Sequence, residues 1–149
     1  MKMENEKVEI LLVEDNPNDV ELTLHALKKS HLTNRIHVVR DGEEALDFFF
    51  GNPDNDPNKK IPGPKVILLD LKLPKIDGME VLRQLKGNPM TKSIPVVVLT
   101  SSNEERDIFE TYALGVNSYI VKPVDFAKFV QAMHTLGMYW LMLNRPLQE

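Results

Sequence analysis

Short apolar runs recur five times along the chain, and each has the length and residue types of a buried β-strand. An uninterrupted aliphatic run such as Val66–Leu69 is typical of a strand that is covered on both faces. The predicted strands are Val8–Val13, Ile36–Val39, Val66–Asp70, Ile94–Leu99 and Val116–Val121. The pattern therefore predicts a sheet of five short strands.

The segments between these runs have apolar residues at helical spacing. Val20, Leu24 and Leu27 recur at i, i+4 and i+7, and Asn16-Pro17 supplies an N-cap followed by a proline at the first helical position. Helices are predicted over residues 17–30, after the Asp41-Gly42 turn, from Asp77-Gly78 to near Asn88-Pro89, over Glu104–Leu114, and from Asp125 to about Asn144.

Strict alternation of strands and helices predicts an α/β fold with a doubly wound parallel sheet. Because right-handed crossovers make every strand point the same way, the carboxyl ends of all five strands lie on one edge. Ligands of such sheets bind at that edge. The residues that follow each strand are therefore the candidate site.

Residues 51–64 interrupt the alternation. They contain four prolines and two glycines, a composition that excludes regular structure. The segment is predicted to be a loop that is long for a compact domain.

Composition narrows the class of protein. The chain has 149 residues, 42% of them hydrophobic, no cysteine and a net charge of -4. These values predict one globular domain without disulfides or thiolate metal sites, and the charge disfavours nucleic acid as a partner. The apolar runs are too short to span a membrane and the N-terminus does not resemble a signal peptide, so a cytoplasmic protein is expected.

Chemically active residues follow four of the five predicted strands. They are Glu14-Asp15 after the first strand, Asp70 after the third, Thr100-Ser101 after the fourth and Lys122 after the fifth. Carboxylates packed this closely repel one another unless a cation compensates, and oxygen ligands suit Mg²⁺. The sequence therefore predicts a Mg²⁺ site at the edge of the sheet.

These residues resemble the motifs of the receiver domain of two-component response regulators. The resemblance runs from about Val8 to Val130. It is carried by Glu14-Asp15, by Asp70-Leu-Lys-Leu-Pro74 with Asp77-Gly78, by Thr100-Ser101, and by Tyr119-Ile-Val-Lys122-Pro123. It implies a flavodoxin-like (βα)5 fold with strand order 2-1-3-4-5 and an extended C-terminal helix. Residues 1–149 would form a single receiver domain, with its core at about 8–130 and a helical extension at about 131–149.

The resemblance also implies a role for each site residue. Asp70 would accept a phosphoryl group from a histidine kinase, and Thr100, Ser101 and Lys122 would contact that group. The Mg²⁺ ligands would be Asp15, Asp70, the backbone carbonyl of Lys72 and, through a water molecule, Glu14. Thr100 and Tyr119 would form the switch that changes on phosphorylation, and the Lys122-Pro123 peptide would be cis.

Two residues depart from the commonest pattern of the family. Glu14 stands where Asp is more frequent, and Ser101 stands where Ala or Gly is usual. These departures could change the rates at which the phosphoryl group is transferred and hydrolysed, but they leave the implied roles of the site residues unchanged.

The C-terminal segment and the Pro-rich loop resemble those of stand-alone regulators paired with phytochrome-type kinases of cyanobacteria. The partners expected are a sensor histidine kinase and a downstream target or phosphotransfer protein. The run Met138–Leu143 has more apolar surface than one helix face can bury. It would either form a homodimer that includes Trp140 or fold back over its own domain.

Other classes of protein fit the residues less well. An aspartyl-phosphate phosphatase of haloacid-dehalogenase type needs a second Asp two residues after the nucleophile, where this chain has Lys72. In a flavodoxin-like carrier, the acidic pair Glu14-Asp15 would repel the flavin phosphate. A dinucleotide enzyme would need the Gly-rich motif that is missing after the first strand. The residues therefore favour the hypothesis that this chain is a phosphoacceptor without enzymatic turnover.

Overall fold

Strands and helices alternate along the chain in the computed structural model, which describes residues 8–29, 35–51, 63–122 and 125–143. The strands within these ranges are β1 (Ile10–Val13), β2 (Ile36–Val39), β3 (Val66–Leu69), β4 (Val96–Thr100) and β5 (Ser118–Val121). The helices are α1 (Pro17–Lys29), α2 (Gly42–Phe50), α3 (Gly78–Gly87), α4 (Glu105–Leu114) and α5 (Phe126–Gly137). A π-helix over Met138–Leu143 follows α5.

The strands form one parallel sheet in the order β2-β1-β3-β4-β5, as predicted. In the register of the central strands, Val13 of β1 lies beside Leu69 of β3, and Leu69 lies beside Val98 of β4. The carboxyl ends of these strands are therefore level with one another. The flavodoxin-like fold class is confirmed.

Each face of the sheet has its own hydrophobic core. In β1, Leu11 and Val13 belong to the cluster under α2 and α3, whereas Ile10 and Leu12 belong to the cluster under α1 and α5. The side-chain alternation of a strand explains this division, because successive residues point to opposite faces. Both faces being covered also explains why β1 and β3 are apolar at every position.

Several elements begin later than the hydrophobic pattern predicts. β4 begins at Val96, not Ile94, and β5 begins at Ser118, not Val116. Pro95 lacks an amide hydrogen and cannot extend the ladder. The Val96 amide donates to the Asn117 side chain at 3.0 Å, so this side chain replaces the backbone partner at the start of β5.

The C-terminal helix covers nearly the predicted span, but it is not one α-helix. The α-helical part ends at Gly137, and the chain continues with the wider turns of a π-helix. Glycine is a poor helix former, and the run that follows is apolar around its whole circumference. Leu141 is buried in the cluster under α1 and α5, and Trp140 packs against that cluster. Lys65 holds this segment by donating to the Leu141 carbonyl at 3.4 Å.

Part of the sequence prediction concerns residues that the structure does not describe. Residues 52–62 of the predicted loop lie outside the described ranges, as does Pro123 of the predicted cis peptide. Within the described ranges, no helix is both long enough and apolar enough to cross a membrane.

At Gly78, the first residue of α3 lies directly against the backbone of Asp70 and Leu71, which follow β3. Its amide donates to the Leu71 carbonyl at 2.8 Å, and a Cβ at this position would collide with the Asp70 carbonyl oxygen. Asp77 caps the same helix by accepting from the Glu80 amide at 3.0 Å. The start of α3 is thus fixed directly against the backbone of the site.

The substitution Gly78→Ala is expected to lower the free energy of unfolding by about 3 kcal/mol, because the added methyl group meets backbone that cannot move aside cheaply. Gly87→Ala in the same helix is the matched control. A Cβ at Gly87 meets nothing within 4 Å. This control should gain about 0.5 kcal/mol from helix propensity. Urea unfolding of both variants measures the difference, and equal effects of the same sign would contradict the packing argument.

Candidate phosphoacceptor and metal site

The residues predicted from the strand ends meet at the carboxyl edge of the sheet. Glu14 and Asp15 follow β1, and Asp70 follows β3. One carboxylate oxygen from each of the three lies within 4.8 Å of the others. The backbone fixes this arrangement, since the Glu14 amide donates to Val39 and the Asp70 amide donates to Val13, each at 3.0 Å.

Lys122 is the cation of this pocket. Its backbone amide donates to the Thr100 carbonyl at 2.7 Å, which places it at the end of β5. Its Nζ lies 2.8 Å from Glu14 Oε1, 3.1 Å from Asp70 Oδ2 and 2.7 Å from Asp19 Oδ2. Burial opposes the ammonium charge, but the hydrogen bonds to Asp19 and Glu14 and the charge of Asp70 together raise the pKa of Lys122 above its ordinary value. Lys122 is therefore a permanent positive charge.

Glu14 is the most deeply buried acid of the pocket, with 1% of its surface exposed. Burial raises its pKa from 4.5 to about 7, and the neighbouring charge of Asp70 adds to the rise. Lys122 and the Asn16 amide, which donates to Glu14 Oε2 at 3.2 Å, oppose that rise. In the absence of a further cation, the Glu14 carboxyl group therefore keeps its proton up to about pH 7.

This pKa predicts that the metal-free protein loses stability as the pH rises. Between about pH 4.5 and about pH 7 the folded state binds the Glu14 proton and the unfolded state does not, so the free energy of unfolding falls across this window. The contribution lost between about pH 5 and about pH 7.5 is on the order of 2 kcal/mol. Urea unfolding in EDTA should show this fall in the wild type and a smaller one in Glu14→Gln. Identical pH dependence in the two proteins would rule it out.

The composition of the pocket fits a hard divalent cation. Four carboxyl groups gather here, those of Glu14, Asp15, Asp19 and Asp70, and Lys122 brings one positive charge. Closely spaced carboxylates favour a cation, and oxygen ligands of this kind suit Mg²⁺. When bound, the ion would supply positive charge to a phosphoryl group on the adjacent carboxylate.

Thr100 lies at the end of β4 beside the acidic residues. It is fully buried, and its Oγ1 accepts a long hydrogen bond of 3.4 Å from the Ser102 amide. Ser101, between these two residues, is exposed. The Lys72 amide donates to Asp70 Oδ1 at 3.2 Å, so this residue borders the Asp70 carboxylate. The structure thus brings Lys72 to Asp70, places Thr100 at the end of the strand next to β3, and leaves Ser101 at the surface.

Tyr119 is connected to Thr100 through Ser102. The Tyr119 hydroxyl donates to the Ser102 carbonyl at 2.9 Å, and burial raises the pKa of that phenol. Ser102 Oγ in turn donates to Asp107 Oδ2 at 2.7 Å, in the first turn of α4. The end of β4, the start of α4 and Tyr119 therefore form one hydrogen-bonded network.

Sequence reasoning missed two residues of this site. Asp19 contacts Lys122, and Asp107 contacts Ser102. Both occupy the first turn of a helix that starts within a few residues of a strand end. A helix that begins at the edge of a sheet keeps its first turn near that edge. An acidic residue in the first turn of such a helix could therefore have been predicted to lie close to the site.

The sequence matches the response regulator receiver domain over residues 10–134. Among curated proteins, Response regulator Rcp1 of Synechocystis is 41% identical over 134 residues, which cover 89% of this chain and 88% of that protein. The probable methanogenesis regulatory protein FilR2 of Methanothrix harundinacea is 40% identical over 136 residues, with 91% and 85% covered. The match therefore spans most of each relative.

Solved structures agree with this match. The phosphorylated cyanobacterial phytochrome response regulator RcpA is 39% identical with a TM-score of 0.82, and the alignment covers 95% of this chain and 99% of that one. The Mn²⁺-bound form of Rcp1 is 38% identical with a TM-score of 0.79, covering 93% and 98%. The bacteriophytochrome response regulator RtBRR is 53% identical with a TM-score of 0.72, covering 93% and 82%.

The predicted magnesium cofactor agrees with these neighbours and with the geometry of the pocket. Rcp1 has been solved with Mn²⁺, and a receiver domain from Pseudomonas aeruginosa has been solved with a magnesium ion in its active-site cleft. The carboxylates of Glu14, Asp15 and Asp70 cluster at the edge of the sheet where receiver domains bind Mg²⁺. In sequence, fold and acidic pocket, this chain belongs to the receiver domain family of two-component response regulators.

Proposed function

We propose that Asp70 is the residue of this receiver that accepts the phosphoryl group of a histidine kinase. The supporting observation is the position of Asp70. The residue is 6% exposed, its carboxylate contacts Lys122, and it belongs with Glu14 and Asp15 to the acidic cluster that could hold a metal ion. Oδ2 is held by Lys122 and Oδ1 by the Lys72 amide. Glu14 is held at both oxygens as well, but it is only 1% exposed, so Asp70 is the more accessible of the two acids.

The transfer forms an O–P bond at Asp70 and breaks the P–N bond of the donor phosphohistidine. The donor imidazole leaves with the electron pair of that bond, and Asp70 becomes an acyl phosphate. Because catalysis of phosphoryl transfer rests on positioning and charge, the surrounding groups matter more than further chemistry at the acceptor. Asp15, Asp70, the Lys72 carbonyl and, through water, Glu14 would hold Mg²⁺. Lys122, Thr100 and Ser101 would contact the phosphoryl oxygens.

The signal would leave the pocket through Thr100 and Tyr119. A phosphoryl oxygen on Asp70 offers the Thr100 hydroxyl a charged acceptor to which it can donate, while its Oγ1 now accepts a long hydrogen bond of 3.4 Å from the Ser102 amide. Movement of Thr100 would pull on Ser102, which holds both Tyr119 and the first turn of α4. The altered surface would then bind a downstream protein or pass phosphate to a phosphotransfer protein.

The identity of the kinase is proposed from relatives. RcpA and RtBRR are named as phytochrome response regulators, which favours a phytochrome-like sensor histidine kinase. FilR2, at similar identity, is named for methanogenesis, so light is one of several possible inputs. The proposal makes the chain a substrate of its kinase, without turnover of its own, and locates it in the cytoplasm where ATP-dependent kinases act. The stand-alone, single-domain arrangement stays a prediction.

Chemical phosphorylation tests the proposal. The full chain, incubated with acetyl phosphate and Mg²⁺, should gain the mass of one phosphoryl group, and hydroxylamine should remove it as it does an acyl phosphate. Peptide mapping should place the group on Asp70. Labelling elsewhere, or labelling that is independent of Mg²⁺, would contradict the assignment.

We also propose a homodimer through the C-terminal segment, centred on Tyr139 in place of Trp140. Trp140 packs against the core of its own domain, which favours folding back for that residue. Tyr139 is 49% exposed and sits edge-on against the Trp140 ring at a centroid distance of 4.7 Å. An exposed aromatic residue on a rigid aromatic neighbour is typical of an interface anchor.

Substitution of Tyr139 should weaken the dimer by about tenfold, the loss typical of an aromatic anchor. Sedimentation of Tyr139→Ser against the wild type measures this. Tyr112→Ser is the matched control, because Tyr112 is 50% exposed but lies on α4. Equal association of the two variants, or a monomeric wild type, would exclude the proposed interface.

A further inference from the structure

Asp19 makes the shortest of the three ion pairs of Lys122, at 2.7 Å. It is also the most exposed of the three partners, with 32% of its side chain accessible against 2% for Glu14 and 7% for Asp70. This contact joins the first turn of α1 to the end of β5. Nothing in the receiver chemistry proposed above uses Asp19.

The position of Asp19 does not depend on Lys122. The side chain of Asn16 caps α1 by accepting from the amides of Asn18 at 2.8 Å and Asp19 at 3.2 Å. The helix backbone therefore holds Asp19 in place by contacts of its own. Asp19 is an anchor toward which the flexible lysine side chain is drawn.

The other two partners of Lys122 change during phosphoryl transfer. Asp70 loses its negative charge at the oxygen that becomes esterified, and Glu14 is the residue proposed to hold a metal-bound water. Both interactions with the ammonium group weaken at the moment when that group has to reach a phosphoryl oxygen. Asp19 is neither esterified nor proposed to hold the metal ion, so the transfer does not consume its contact with the ammonium group.

The surroundings of Lys122 leave room for such movement. A cavity of about 30 Å³ adjoins the pocket, which is space for about two water molecules. It is lined by Asp19, Leu22, Thr23, Leu99, Lys122 and Phe129. Asp19 is the acidic residue of this lining, and its carboxylate is in direct contact with the lysine at the edge of the cavity.

We infer that Asp19 is a positioning residue for phosphoryl transfer. It holds the Lys122 ammonium group close to the acidic cluster while Asp70 carries the phosphoryl group and Glu14 holds the metal-bound water. An ammonium group has three hydrogens, so Lys122 can donate to Asp19 and to a phosphoryl oxygen at the same time. The inference rests on the proposed role of Asp70 and adds a residue outside the motifs that define the site.

The test is a double-mutant cycle on the rate of labelling by acetyl phosphate at saturating Mg²⁺. Asp19→Asn should slow labelling by about tenfold, the loss expected when a charged hydrogen-bond partner of the reacting group is removed. The same substitution in a Lys122→Met background should change the rate by less than about twofold, because its effect acts through the lysine. Asp19→Glu should restore most of the wild-type rate.

Controls separate this role from simpler ones. Glu21→Gln removes one charge from an exposed position on the same helix and should leave the rate unchanged. A loss of rate in this control equal to that of Asp19→Asn would overturn the inference in favour of a general field effect. An additive effect of Asp19→Asn in the Lys122→Met background would overturn it as well. Labelling of the wild type at Asp70 in the same series tests the proposed function separately.

Discussion

Replacing Asp70 by Asn is expected to abolish phosphorylation of this receiver by acetyl phosphate and Mg²⁺. The amide is a far weaker nucleophile than a carboxylate and cannot form the acyl phosphate, so the rate should fall by at least about 10³-fold. Intact-mass spectrometry over a time course measures this loss directly. Glu14 also has Lys122 and a backbone amide on its two oxygens, but Asp70 is the more exposed of the two, at 6% against 1%.

The control for this prediction is Asp77→Asn. Asp77 caps α3 and accepts from the Glu80 amide, but it is exposed and is not among the clustered carboxylates. Asn caps helices about as well as Asp, so the variant should fold and should label like the wild type. Asp70→Asn should also be more stable than the wild type without metal, because one of several mutually repelling charges is gone. Undiminished labelling of Asp70→Asn would move the acceptor to another residue.

Replacing Lys122 by Met is expected to slow labelling by about 10²-fold, because the positive charge that faces the phosphoryl oxygens is removed. It should also destabilise the metal-free protein by about 2 kcal/mol at alkaline pH, since Glu14 and Asp70 are then left buried without their ion-pair partner. Mg²⁺ should restore part of this stability by supplying the missing charge. The two readouts are the labelling rate and urea unfolding with and without Mg²⁺.

Lys92→Met is a suitable reference for this variant. Lys92 is an exposed lysine between α3 and β4, away from the acidic cluster. It should label at the wild-type rate and show no change in stability that depends on Mg²⁺. A Lys122→Met protein that labels as fast as this reference would exclude a role for Lys122 in the transfer.

Most of the fold could be predicted because the apolar pattern and the helix signals agree. The aliphatic run of β3 predicts a strand and no other element, and Asp77-Gly78 in the same way predicts the start of a helix. The form of the C-terminal helix could not be predicted in the same way. Met138–Leu143 is apolar at every position, so periodicity distinguishes neither its helix type nor the side it buries.

The site was predictable to the extent that it sits on strand ends. Glu14, Asp15, Asp70 and Lys122 follow strands of one parallel sheet, and topology alone brings them together. Asp19 belongs to a helix, and its contact with Lys122 depends on the pitch and direction of α1, which sequence spacing does not give. The burial that raises the pKa of Glu14 likewise depends on packing by the whole domain.

The alternation of β1 between two cores has a consequence for how the protein can be changed. Tyr119 packs with the core under α2 and α3, whereas Trp140 and Leu141 pack with the core under α1 and α5. The sheet acts as a partition between the proposed readout and the proposed assembly segment. Substitutions in the C-terminal segment, or its replacement by another segment, should therefore leave the packing of Tyr119 on the opposite face of the sheet unchanged.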